Sequence, residues 1–129
     1  VLGYGAEFVA QGTPADMNSL AEIIEAGIRF PGFAFINVQS PCVTYGQEDQ
    51  QLKAHKETMK PLASIGHDPA DRLKAMGLAQ EYGHALYTGV FYRNPDPPPT
   101  FDGIMRQMQQ DMMPTARPRE QILDLFKQA

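Results

Sequence analysis

The sequence predicts an α/β protein. Two short apolar runs, Glu7–Gln11 and Phe33–Val38, flank a segment of helical periodicity, and a third apolar run, Leu86–Tyr92, follows a second helix-starting pattern. With 129 residues and 43% apolar content, the chain is long enough for one domain or a piece of one, burying roughly 68% of the surface its unfolded form would expose.

The chain begins at Val1, and Leu2-Gly3-Tyr4-Gly5 runs directly into the first strand with no capping structure before it, which reads as a start in mid-fold. Glu7–Gln11 is short, apolar and closed by Gly12, as a buried strand is. Thr13 then suits a helix cap, Pro14 the first helical position, and Asp16 the positive end of the helix dipole. Leu20, Ile23, Ile24 and Ile28 recur at three- and four-residue spacing and predict one buried stripe, ending before Pro31-Gly32. Phe33–Val38 is a continuous apolar run, the pattern of a strand covered on both faces. Strand, helix and strand together make a βαβ unit, for which a right-handed crossover is the rule.

Residues 47–60 are polar, with Leu52 and Met59 as the large apolar anchors, and predict an exposed helix or partly ordered excursion. Asp68-Pro69-Ala70-Asp71 repeats the cap, proline and acid pattern, opening a helix that should bury Ala75, Leu78, Ala79 and Tyr82 and end at Gly83. Leu86–Tyr92 is the third strand. Pro95–Pro99 favours an extended, stiff spacer. Phe101, Ile104, Met105, Met108 and Met112 lie on one face of an amphipathic helix whose thioethers suit an adaptable contact surface, and Pro114 stops it. A last short helix, from about Pro118 to Gln128, should present Ile122, Leu125 and Phe126 together.

Composition excludes several functions. A net charge of −4 with 11 dispersed basic residues provides no footprint for nucleic acid or an anionic membrane surface. No apolar run reaches 18 residues and the N-terminus has no signal-peptide pattern, so a soluble protein is expected. One cysteine rules out a disulfide framework and favours a reducing compartment, the cytoplasm.

Motifs for chemistry are few. Gly3-Tyr4-Gly5 lacks the third glycine of a dinucleotide fingerprint and precedes a strand instead of following one. His55, His67 and His84 show no metal-ligand spacing, and His67 reads as an ordinary residue ahead of the Asp68 cap. Asp16, Asp68 and Asp71 are accounted for as helix starters. Cys42 stands apart. Its loop, Ser40-Pro41-Cys42-Val43-Thr44, follows an apolar strand at the end where open α/β sheets usually place ligands. Spacing alone leaves two readings open, a buried small hydrophobe or one donor of a site completed from elsewhere.

The run Gly12–Thr44, GTPADMNSLAEIIEAGIRFPGFAFINVQSPCVT, resembles the C-terminal part of the thiamine diphosphate-binding β subunit of 2-oxoacid:ferredoxin oxidoreductases. GHDPADRLKAMGLAQEYG at Gly66–Gly83 and TGVFYR at Thr88–Arg93 resemble, in the same order, that family's following segment. The resemblance runs from about residue 3 to 100 and is most specific in Ser-Pro-Cys-Val-Thr and His-Asp-Pro-Ala-Asp.

The resemblance implies the C-terminal portion of a thiamine diphosphate-binding fold, parallel strands with covering helices, over residues 1–94, with a proline-rich spacer and helical tail over 95–129. It implies oxidative decarboxylation of a 2-oxoacid to an acyl-coenzyme A, with electrons passed through a 4Fe-4S cluster to ferredoxin. Cys42 matches the family's fourth cluster ligand, the other three lying upstream in a Cys-X-X-Cys and a further single cysteine. Thiamine diphosphate, Mg2+ and the cluster are expected in the complete subunit, and the partners are the α subunit, ferredoxin, the 2-oxoacid and coenzyme A. Among 2-oxoacids, the two-subunit type that these motifs resemble favours 2-oxoglutarate.

Two departures qualify the likeness. The family's Gly-Asp-Gly motif with its later asparagine is absent, and so are three of the four cluster cysteines. The chain is therefore expected to be a C-terminal fragment that alone binds none of these cofactors and has no catalytic residue of its own. Residues 47–60 and those after Thr100 match the family loosely and take no role from it. The alternative is a free-standing α/β interaction module with a methionine-striped tail and a buried structural cysteine.

Overall fold

In a computed structural model of the chain, residues 1–45, 47–81, 83, 85–112 and 127 are described. Strand β1 (Phe8–Gly12) is buried at four of its five residues, and it sits between two neighbours. On one side it pairs in parallel with β2 (Ala34–Val38), from Phe8 opposite Ala34 to Gly12 opposite Val38. On the other it pairs with β4 (Leu86–Arg93) antiparallel. A short strand missed in the sequence, β3 (Met59–Pro61), runs parallel to β4 at the far edge, giving the order β2-β1-β4-β3. The α/β class holds, but the sheet is mixed rather than all parallel. Two parallel pairs, each connected through a helix, meet antiparallel at β1 and β4.

Helix α1 (Met17–Arg29) forms where expected, with two caps in series. The Thr13 hydroxyl accepts from the Ala15 N–H (3.3 Å) and opens a 3-10 turn over Pro14–Asp16; the Asp16 carboxylate accepts from the Ser19 N–H (3.1 Å) and opens the α-helix. Its buried residues are Leu20, Ile23 and Gly27, while Ile24 and Ile28 are 38% and 79% exposed. The expected stripe is thus rotated. Gly27 has no side chain, and a Cβ there would lie 2.7 Å from Ile36 Cδ1, so the helix settles against β2 along the line 20, 23, 27.

α1 covers one face of the sheet, where Phe8, Ala10, Ile23 and Phe30 form a core with Ala34, Ile36 and Val90 against it. Phe8 and Phe30 stack tilted, ring centres 5.5 Å apart. The opposite face is covered by α3 (Arg72–Gln80) and by a 3-10 turn over Leu2–Tyr4, which precedes β1 where no such structure was expected. Leu2, Ala6, Val9, Leu62, Ala75, Phe91 and Tyr92 pack there. Phe91 and Tyr92 are consecutive yet share this core. The register explains it: Val9 faces Tyr92 and Ala10 faces Val90, leaving Phe91 as the extra residue of a bulge. Arg72 ties α3 down by donating to the Leu2 and Ala6 carbonyls (3.0 and 3.2 Å) and lying 4.2 Å over the Tyr92 ring.

Three expectations shift. α3 is capped by Asp71, which accepts from the Lys74 N–H (2.9 Å), whereas Asp68 only closes a turn onto the Ala70 N–H (2.9 Å). On α3, Ala75 is buried and Leu78 half-buried, but Ala79 is exposed and Met76 takes its place against the core. β2 is not covered on both faces. It is a sheet edge in this chain, with no strand on its outer side, and Phe35 and Val38 are 37% and 42% exposed, as is Phe33 (63%) just before it. Tyr82, His84, Pro114 and the helix expected near 118–128 lie outside the described residues.

The exposed segment is a helix, α2 (Glu48–Thr58), with no buried residue. The chain divides into two units, Val1–Pro98 and Pro99–Ala129. In the second, α4 (Phe101–Met112) carries the expected apolar stripe, and Phe101, Ile104, Met105, Met108 and Met112 are 39–76% exposed. Among the described residues no helix is long and apolar enough to cross a membrane.

Phe8 is fully buried and packs with Phe30, so Phe8→Ala should cost about 3–5 kcal/mol, against a total of about 5–15 for a domain. Urea unfolding followed by circular dichroism checks this; a loss below about 1 kcal/mol would mean that the α1 face is not the core described.

Candidate functional site

The carboxyl ends of the parallel strands β1 and β2 lie side by side, Gly12 opposite Val38. β1 leads into Gly12-Thr13, and β2 into Gln39-Ser40-Pro41-Cys42. The Gln39 N–H donates to the Gly12 carbonyl (2.8 Å), extending the ladder one residue past β2, and the Ser40 N–H turns back onto the Val38 carbonyl (3.0 Å). The chain then leaves the sheet. Cys42 stands exposed at this exit, followed by a 3-10 turn over Val43–Tyr45 and then α2. The buried thiol of the alternative reading is not what the structure shows. An exposed thiol beside a strand end can be reached from outside the sheet, as a core cysteine cannot.

On the α3 side of the sheet lies a cleft of about 370 Å³ with Phe35, Phe91 and Met76 among its apolar walls and Gln11, Asn37, Gln39 and Tyr87 among its polar ones. The amides form a relay across three strands. Asn37 Nδ2 donates to Gln11 Oε1 (2.7 Å), and Gln11 Nε2 donates to the Tyr87 carbonyl (2.8 Å). Sequence reading missed both amides, because Gln and Asn in apolar strands carry no spacing signal. Their pairing exists only through the β1–β2 and β1–β4 registers.

The Tyr87 hydroxyl donates to Glu81 (2.6 Å). This bond, with smaller contributions from burial and the carboxylate charge, raises the tyrosine above its usual value of 10.0.

His67 and His55 have structural partners. His67 is buried, with Nε2 donating to the Phe91 carbonyl (2.7 Å), which fixes it between the Asp68 turn and β4; its Nδ1 is buried without a partner among the described residues. His55 Nδ1 lies 2.9 Å from the Thr13 hydroxyl. Asp16 and Asp71 are the helix caps of α1 and α3. No group of three or more His, Cys, Asp or Glu able to hold a metal occurs among the described residues. Of a four-thiolate donor set this chain therefore offers one, Cys42, which fits a single ligand of a shared cluster.

The sequence matches the family described as the C-terminal part of the pyruvate ferredoxin oxidoreductase beta subunit over residues 42–110, more than half of the chain. The chain belongs to that family. Relatives of this beta-subunit family include the 2-oxoacid:ferredoxin oxidoreductase subunit beta of Saccharolobus solfataricus, 31% identical over 99 residues that cover 70% of this chain and 32% of that protein. The 2-oxoacid:ferredoxin oxidoreductase 1 subunit beta of Aeropyrum pernix is 33% identical over 101 residues, covering 70% and 31%. The 2-oxoglutarate synthase subunit KorB of Methanothermobacter marburgensis is 32% identical over 94 residues, covering 72% and 32%. Among solved structures, 2-oxoglutarate:ferredoxin oxidoreductase from Magnetococcus marinus, with 2-oxoglutarate, coenzyme A and succinyl-CoA bound, superposes with a TM-score of 0.73 at 28% identity, over 96% of this chain and 42% of that one. The chain thus spans about a third of the length of the curated relatives it matches.

The Tyr87–Glu81 bond makes a pH prediction. The raised value means that the folded form holds the phenol proton more tightly than the unfolded chain does, so the contribution to stability is complete below pH 10.0 and is lost as pH rises through the folded value. Phenolate absorbance, with Tyr87→Phe as the subtraction, should place Tyr87 above 10.0, and Glu81→Gln should move it back down. An unmoved titration in Glu81→Gln would show that the carboxylate is not the cause.

Proposed function

We propose that this chain is the C-terminal portion of the β subunit of a 2-oxoacid:ferredoxin oxidoreductase, and that Cys42 supplies one thiolate to a 4Fe-4S cluster whose remaining ligands lie elsewhere in the subunit. The observation that carries the reading is the exposed Cys42, at the carboxyl end of a parallel strand and at the first residue of the family match. A thiolate there is accessible to groups outside this chain, on a loop whose start is fixed through Gln39 and Ser40. When bound, the cluster supplies one-electron transfer to ferredoxin, and thiamine diphosphate with Mg2+ supplies the decarboxylation of the 2-oxoacid.

The residues of this chain contribute a scaffold and one ligand. β1 and β2 set the height of the Cys42 loop, and Pro41 removes one backbone donor and stiffens it. Residues 1–94 read as part of the thiamine diphosphate-binding domain, and residues 95–129 as spacer and tail. The α subunit and ferredoxin are the protein partners, coenzyme A the acyl acceptor, and the cytoplasm the site of action. The 2-oxoglutarate enzymes among the relatives favour 2-oxoglutarate as the oxoacid.

In the whole subunit, Cys42→Ser should abolish or degrade the cluster. Electron paramagnetic resonance of the reduced protein and iron content measure it, and an unchanged 4Fe-4S signal with full iron would sink the assignment.

A further inference from the structure

We propose that His55 is a positioning residue, which through the Thr13 hydroxyl fixes the direction of α2 and so places the loop that carries Cys42. This rests on the ligand reading of Cys42 for its consequence, though not for the latch itself.

α2 follows the Cys42 loop and, beyond its contacts with the Pro14–Asp16 turn next to Thr13, has little among the described residues to hold it. None of its residues is buried, and its first turn has no side-chain cap. The Thr58–Ala54 bond and the Lys53–Glu57 pair stay within the helix, whereas His55–Thr13 joins it to the end of β1. At its far end the helix runs into β3, where Met59 pairs with Leu86. His55 lies one turn before Met59. Two fixed points a turn apart define a helix axis, where β3 alone would act as a hinge. The Cys42 loop is attached to the opposite end of that axis.

Thr13 is the stronger half of the pair. It is 1% exposed, and its oxygen already accepts from the Ala15 N–H. Its remaining proton needs an acceptor, and Nδ1 of His55 lies 2.9 Å away. The arrangement is satisfied when His55 carries its proton on Nε2 and accepts through Nδ1. An apolar residue at position 55 would leave a buried hydroxyl without a partner, while asparagine places an amide oxygen near the position of Nδ1.

Hydrogen exchange on the full chain tests the latch. His55→Phe should speed exchange of the α2 amides by roughly three- to tenfold, the span of one ordinary hydrogen bond, with the amides of α1 and β4 unchanged. His55→Asn should restore the slow rate, as should Thr13→Ser in place of threonine. If His55→Phe leaves α2 exchange unchanged, or if asparagine fails to rescue it, the latch is overturned. In the whole β subunit, His55→Phe should shorten the lifetime of the cluster absorbance in air relative to wild type and His55→Asn. Loosened α2 with an unchanged cluster lifetime would overturn the positioning of Cys42. A wild-type subunit that holds no cluster overturns the ligand reading instead, while exchange still decides the latch.

Discussion

Everything in the first unit depends on β1 being closed on all sides. Its backbone is paired with β2 along one edge and β4 along the other, and its side chains are divided between two cores. Phe8 and Ala10 go to the α1 face and Val9 to the α3 face. A strand with no free edge and no free face cannot slip by a residue without reversing which core each side chain enters. The register of β2 then follows from β1, and the height of the Cys42 loop follows from β2.

The antiparallel meeting of β1 and β4 decides what gathers around Gln11. In an all-parallel sheet the carboxyl end of β4 would lie beside the carboxyl end of β1. Here the beginning of β4 does, bringing Tyr87 to Gln11 and, through Gln11, to Asn37. The bulge at Phe91 contributes as well, since it turns two consecutive aromatic residues into the same core and frees Val90 for the other. Gly89, at φ 115°, lies two residues before it and takes a backbone angle that a side chain would strain.

Much of the fold was legible because it is written in local chemistry. Cap residues, prolines and apolar periodicity placed α1, α3, α4 and the strands β1, β2 and β4 near their observed positions. The errors have a common cause. Ile24 and Ile28 belong to the apolar pattern but are exposed, and β2 is apolar yet half-uncovered, because periodicity records what a face is made of and not what lies against it. β3 was missed since three residues containing a proline carry no strand pattern; its pairing with β4 makes it a strand.

Of the candidate site, residue order along the chain is enough to mark Cys42 as the single thiol, its place after a strand, and the family to which the surrounding residues belong. Its exposure, the amide relay and the His55–Thr13 bond were decided only by the tertiary structure. A family match depends on residues close together in the chain, but Gln11 and Tyr87 are 76 positions apart and Thr13 and His55 are 42 apart. Such contacts arise from strand register and helix docking, which no short window of sequence contains.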